Sequence, residues 1–207
     1  VHFSSIIAEE CAKIVEKVRI NPGNYIDKRA NFKELNLSDY EYNLELEKIH
    51  DRLLPLIKVC NEYGTAIRIG SNHGSLSDRI LSRYGNTAKG MVEAAMEFIS
   101  IFNAENFHNL VISMKASNVK VMTESCSLLT QRMIETGNVY PQHLGVTEAG
   151  AGTDARIKSC LGIAYLLNKG IGDTIRVSLT EPPVNEITFA KKFMAEFGEK
   201  KAYSENI

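Results

Sequence analysis

Among its 207 residues the sequence has no tryptophan and no apolar run approaching the ~20 residues that a membrane helix requires, so no helical span is indicated. An excess of one charge is also missing. The 24 Lys and Arg residues balance 25 Asp and Glu, and a net charge of −1 offers nucleic acid or an acidic membrane surface nothing global to hold. Any cationic site must therefore be local. Cysteine is scarce: Cys11, Cys60, Cys126 and Cys160 are far apart, form no C-x-x-C pair, and each falls in an expected amphipathic helix. They read as buried thiols of a reducing compartment, and a metal or cluster site built from these four alone is not expected. A start methionine and a signal peptide are lacking too. Val1-His2-Phe3-Ser4-Ser5 reads as a chain cut inside a folded unit.

What is present is ordinary for a globular protein: 44% hydrophobic and 24% charged residues, in a length that fits one domain with a sizeable core. Short apolar runs alternate with amphipathic stretches. Val1–Phe3, Lys17–Ile20, Ala66–Ile69, Leu110–Lys115, His143–Glu148 and Thr174–Leu179 read as strands. Between them, helical faces are expected at Ile7/Cys11/Ile14, Tyr42/Leu46/Ile49/Leu53/Cys60, Met91/Ala94/Phe98/Ile101, Met122/Cys126/Leu129/Met133, Ile157/Leu161/Ala164 and Ile187/Ala190/Met194. Ser38-Asp39-Tyr40-Glu41 forms a capping box, Pro55 should kink or divide the helix it opens, and Gly64 should end it. Thr153-Asp154 should cap the helix before Gly170. Lys28 to Leu37 reads as irregular, and the tail from Glu199 should fray.

Strict alternation with near-continuous apolar strands predicts an α/β fold with a parallel sheet flanked by helices. An open doubly wound sheet and a (β/α)8 barrel both satisfy the element order. Chemistry favours the barrel, because polar residues gather at nearly every strand's C-terminal end rather than at one switch point. In order they are His2, Arg19 with Asn21 and Asn24, Arg68 with Asn72 and His73, Lys115 with Ser117 and Asn118, Glu148, and Arg176 with Ser178.

Four cations on one barrel rim repel each other unless an anion sits among them. Three Arg and one Lys suit a diphosphate or two phosphates, Arg binding in a fork and Lys as a point charge. Glu148 is the one acid in the ring. It either pairs with Arg176 or Lys115, or moves a proton or orients a substrate hydroxyl. His2, His73 and His143 are alternatives for proton transfer, and Gly150-x-Gly152 before a helix is a weak phosphate-loop signal.

Arg19-Ile-Asn-Pro-Gly-Asn24, Ile67-Arg-Ile-Gly-Ser-Asn-His-Gly-Ser-Leu76, Ser113-Met-Lys-Ala-Ser117, His143-Leu-Gly-Val-Thr-Glu-Ala-Gly150 and Gly172-Asp-Thr-Ile-Arg-Val-Ser178 together resemble the 4-hydroxy-3-methylbut-2-enyl diphosphate synthase family of isoprenoid biosynthesis. The motifs follow family order over almost the whole chain. Asn31–Cys60 and Leu179–Pro183 resemble the larger three-domain form of plastids and some bacteria. The resemblance implies a partial (β/α)8 barrel, about strands 3 to 8, over residues 1–198, with 199–207 as a charged tail or the start of a linker. It implies reductive opening of 2-C-methyl-erythritol 2,4-cyclodiphosphate, held by Arg19, Asn21, Arg68, Asn72, Lys115, Arg176 and Ser178, with Glu148 facing the substrate.

It further implies a 4Fe-4S cluster on three cysteines and a glutamate of a C-terminal domain absent from this sequence. Ferredoxin or flavodoxin would donate electrons, in a homodimer of the bacterial cytoplasm or the plastid stroma. Two other readings remain from the residues alone. One is a non-redox phosphate-binding transferase or aldolase with Lys115 as a Schiff-base nucleophile, and the other is a non-catalytic binding module.

Overall fold

The computed structural model describes residues 4–26 and 34–204, with side chains to residue 197. The expected strand at Val1–Phe3, with His2, and residues 28–33 of the irregular stretch lie outside them. The described elements are α1 (Ser5–Ala12), β1 (Lys17–Ile20), α2 (Asp39–Tyr63), β2 (Ala66–Asn72), a short 3-10 turn (His73–Ser75), α3 (Asp78–Tyr84), α4 (Ala88–Ala104), β3 (Leu110–Lys115), α5 (Val119–Glu135), β4 (His143–Leu144), α6 (Gly152–Asn168), β5 (Thr174–Ile175) and α7 (Pro183–Ser204).

All strand pairs are parallel, and neighbours in the sheet are neighbours in sequence. β1 pairs β2, β2 pairs β3, and β4 pairs β5. A bridge at Ile112–Gln142, with the Ile112 N–H donating to Pro141 O at 2.9 Å, joins the two ladders. A doubly wound sheet would reverse its order at a switch point. This one runs 1-2-3-4-5 without reversal, as a barrel wall does.

Curvature follows from the electrostatics. In a flat sheet β2 and β5, like β1 and β4, would stand roughly 14 Å apart, three spacings of about 4.8 Å. Yet Arg176, just after β5, perturbs Arg68 on β2, and Lys17 on β1 perturbs His143 on β4. The wall therefore curls around a common interior.

Strand alternation sorts the side chains into two layers. Val18, Ile20, Ile67, Ile69, Leu110, Ile112, Met114 and Leu144 point outward and are buried in one cluster with Ile49, Leu53, Met91, Phe98, Met122, Leu129 and Met133 of the helices. The other set, Arg19, Arg68, Gly70, Asn72, Ser113, Lys115, His143 and Gly145, lines the interior. The hydrophobic core thus lies between sheet and helices, and the lumen is polar.

The expected faces of α2, α4 and α5 are the buried ones. Those of α1, α6 and α7 are covered only in part, at Cys11, Ala164 and Ala190. Ile7, Ile14, Ile157, Leu161 and Ile187 are all at least half exposed, while α1 buries Ser5, Ala8 and Ala12, and α6 buries Ala155, Ser159, Gly162, Ile163 and Leu166. On α7 it is Phe189, Ala190 and Phe193 that pack against the core. α2 runs unbroken through Pro55. That residue is exposed, so the carbonyl it leaves unpaired faces water, and buried Leu53, Leu56 and Ile57 hold the helix on both sides.

The capping box at Ser38–Glu41 and the left-handed Gly64 are as expected. Helix α6 starts one residue before the expected Thr153-Asp154 cap. Its Gly152 N–H donates to the Glu181 carboxylate at 3.0 Å, and Arg156 forks onto the same group at 2.6 and 2.7 Å. These contacts hold Glu181 down to about 2 and tie α6 to the start of α7. Helix α7 continues to Ser204, so most of the expected frayed tail is helical.

Candidate anion site in the barrel lumen

β1, β2 and β3 bring their cations together by register. Arg19 lies opposite Arg68, Gly70 opposite Ser113, and Asn72 opposite Lys115. Arg19 and Arg68 sit mid-strand, inside the lumen rather than on its rim, because each strand continues past them. Arg19 reaches across β2, its Nη2 donating to Gly70 O at 2.9 Å. Glycine is needed there, since a Cβ at position 70 would stand 2.5 Å from Arg19 Nε. Arg68 Nη1 donates to Ser113 Oγ at 3.0 Å. The Arg19 Nε and Asn72 Oδ1 atoms are buried without a hydrogen-bond partner among the described residues.

Lys115 is the deepest charge, only 9% exposed, and it makes no hydrogen bond or ion pair among the described residues. Burial first, and then Arg68, Arg176 and Arg19, push its ammonium down to about 7. Burial and Arg68 lower Arg19 to about 10, and burial with Arg176 lowers Arg68. Among the described residues no carboxylate offsets this repulsion at any of the three. An acid-free cluster of one buried and two half-buried cations is stable only at a cost that a bound anion would remove.

The outer members behave differently. Arg176 follows the two-residue strand β5 in an irregular segment. Its side chain is 57% exposed and Nε lies 3.5 Å from Glu186 Oε2. Glu186 also accepts the Leu179 N–H at 3.0 Å and so fixes the segment that carries half-buried Ser178. Strands β4 and β5 are shorter than expected, each ending after two residues. At Gly145, just past β4, a Cβ would stand 2.5 Å from Arg176 O and 3.1 Å from Lys115 Nζ. Asn21 is buried and committed to its turn, donating to Ser75 Oγ at 2.9 Å and accepting the Gly23 N–H at 3.1 Å. The Asn24 and His73 side chains flank the same loops, His73 bonding Asn86 O at 3.1 Å.

Glu148 is exposed at the mouth, unpaired among the described residues, so the expected ion pair with Arg176 or Lys115 is not formed. Its backbone φ is +51°, a left-handed conformation rare for a non-glycine residue and a frequent mark of functional strain. His143 bonds Thr174 Oγ1 at 2.8 Å, and burial together with Lys115 and Arg68 pushes its imidazole down to about 3. At neutral pH it is uncharged and is not an acid in waiting. The Gly152 N–H is taken by Glu181, so the Gly150-x-Gly152 turn is not an open phosphate loop.

Ser113, Ser75, Gly70, Gly145 and Glu186 were not singled out from sequence. The first four lie two residues from named residues, or in their turns, so strict period-2 reading outward from Arg68 and Lys115 finds Gly70 and Ser113.

Among the described residues no group of three or more His, Cys, Asp or Glu side chains could hold a metal ion. Cys60 and Cys126 face the core, and burial pushes both thiols up to about 12. These residues do not fit an iron–sulfur cluster. No helix among the described residues is long and apolar enough to cross a membrane.

The chain is 57% identical over 194 residues to the 4-hydroxy-3-methylbut-2-en-1-yl diphosphate synthase (flavodoxin) of Bacteroides thetaiotaomicron, covering 94% of this chain and 32% of that protein. It is 50% identical over 212 residues to the flavodoxin-type enzyme of Leptospira interrogans, covering 99% and 32%. Its identity to the chloroplastic, ferredoxin-type enzyme of Oryza sativa is 52% over 187 residues, covering 90% and 25%. The chain thus spans about a third of the length of the bacterial relatives it matches. A family model described as the GcpE TIM-barrel domain matches residues 1–191, which take in every strand and every cation of the lumen, and the chain belongs to that family.

Proposed function

We propose that this chain is the substrate-holding barrel of a 4-hydroxy-3-methylbut-2-enyl diphosphate synthase, and that its lumen binds 2-C-methyl-erythritol 2,4-cyclodiphosphate. One observation carries the reading: Lys115 is buried beside the half-buried Arg19 and Arg68, with no neighbouring carboxylate among the described residues. Arg68 and Lys115 would grip one phosphoryl group and Arg176, at the mouth, the other. Ser178 and Asn72 add neutral contacts, while Asn21 shapes the β1 turn. Glu148, held at the mouth in a strained conformation, would orient the substrate hydroxyl that leaves as water.

Opening the ring needs two electrons. By resemblance these come from a 4Fe-4S cluster in a further domain, supplied by flavodoxin or ferredoxin. None of the described residues fits that cluster, so the barrel's part is to bind, orient and shield.

The test is calorimetric titration of the chain with the cyclodiphosphate, beside steady-state product detection with a chemical reductant. Binding without turnover is expected, and binding should fail in the Arg68→Gln/Arg176→Gln double variant. Unchanged affinity after loss of both charges would sink the proposal, and turnover by this chain alone would sink the division of labour. A Schiff-base aldolase is the second reading, favoured by one fact: at about 7, the Lys115 amine is substantially neutral and nucleophilic. Borohydride trapping of Lys115 with a carbonyl substrate would support it, and the absence of any adduct would remove it.

A further inference from the structure

Three guanidinium groups and one amine share the lumen. Arginine does not shed its proton near neutral pH, so Arg19, Arg68 and Arg176 stay charged whether the lumen is full or empty. Lysine can shed its proton, and a buried lysine among like charges does so first. Lys115 is that group: nine-tenths buried, without a partner among the described residues, and walled by Gly145 and the strand-β2 side chains.

The charges that face it come from three other parts of the wall. They are Arg19 on β1, Arg68 on β2 and Arg176 beyond β5, with the Cys126 thiol behind it on α5. His143 on β4 feels Lys115 in turn and is already neutral. Among the described residues no other group in the lumen is placed to relieve the repulsion by losing a proton near neutral pH.

We propose that Lys115 is the proton-coupled member of the clamp: in the empty lumen it gives up its proton to escape three guanidinium groups, and it takes one back from solvent when an anion fills the site. The inference rests on the anion-binding reading and adds to it a stoichiometry and a pH dependence. With the empty-site amine near 7 and the filled-site ammonium well above it, affinity should fall about tenfold per pH unit between roughly pH 7.5 and 9.5. Below that window Lys115 is charged in both states and the dependence flattens. The coupling also sets selectivity, since a neutral ligand of the same shape gains nothing from the proton.

Trimetaphosphate is a suitable probe, a small cyclic polyphosphate that does not itself titrate near neutral pH. Its binding to the whole chain should be measured by titration calorimetry at pH 8.5 in buffers of differing ionisation enthalpy, which counts protons directly. Uptake of about one proton per anion is expected. Lys115→Arg should bind with no uptake, because its charge is permanent. His143→Gln should keep the uptake.

Failure of trimetaphosphate to bind at any pH from 6 to 9 would overturn the anion-binding reading and this inference with it. Binding with no proton uptake overturns the inference alone. Uptake that persists in Lys115→Arg assigns the proton elsewhere and overturns it too.

Discussion

Replacing Lys115 by methionine removes a charge while keeping most of the buried side-chain volume. In the unfolded chain the lysine titrates near 10.5, and in the folded chain near 7. The folded pKa is the lower one, so unfolding takes up a proton between these values and wild-type stability rises with pH through the window. At pH 7 the difference destabilises the folded state by up to about 4 kcal/mol, since each unit is worth about 1.4 kcal/mol. Lys115→Met should therefore be more stable than wild type at pH 7, with a melting point higher by roughly 8–16 °C for a chain of this size.

The advantage should shrink steadily and vanish near pH 10.5. Urea unfolding of both proteins at pH 7, 8.5 and 10 measures it. A variant no more stable than wild type at pH 7, or a gap that does not close with pH, would refute the view of the empty lumen as an unneutralised cation cluster. Affinity for the diphosphate should move the opposite way and be lost.

Arg68→Gln should weaken anion binding about 10- to 100-fold, the value of roughly 1.5–3 kcal/mol for a charge-assisted bond, whereas Arg176→Gln should cost less, because Arg176 is 57% exposed and shared with Glu186. Calorimetry of both single variants would show the order. Glu148→Gly should stabilise the fold by about 1 kcal/mol by relieving the left-handed φ, and Glu148→Ala should not, as thermal denaturation of the pair would reveal.

Glu97→Ala should destabilise by about 1.5–3 kcal/mol in urea unfolding, because it strips a forked partner from Arg79, only 5% exposed, and a hydrogen bond from Tyr42.

Legibility differed from helix to helix for a physical reason. Helices α4 and α5 are covered by neighbours on both sides and bury large residues such as Met91, Phe98, Met122 and Leu129, so periodicity points to the right face. Helix α6 buries mostly small residues, Ala155, Ser159 and Gly162 among them. A Cβ on Gly162 would stand 2.5 Å from Met122 Cε and 3.1 Å from Val146 Cγ2, which leaves no room for the large apolar residues that pattern reading counts. Ile157 and Leu161 then signal a face that is exposed in this chain. Helix α1 repeats the error, with Ala8 and Ala12 inside and Ile7 and Ile14 outside.

The strands were readable as strands, and so were their cations. Depth was not, because the sequence shows which residue is charged but not how far the ladder continues beyond it. Arg68 looks terminal until β2 is seen to run on to Asn72. The strain at Glu148 and the occupation of the Gly152 N–H by Glu181 depend on backbone geometry that local composition does not encode.

The sorting of each strand into an apolar outer row and a polar inner row has a consequence for how this protein can change. Cohesion resides in the annulus around the wall, and recognition in the bore. A substitution in the bore alters what is held there and leaves the annulus intact, so ligand preference can drift without passing through unfolded intermediates. The same partition means that the side chains stand in place before any ligand arrives. An entering anion meets donors already aimed into the bore, and beyond the proton on Lys115 little reorganisation remains to be done on contact.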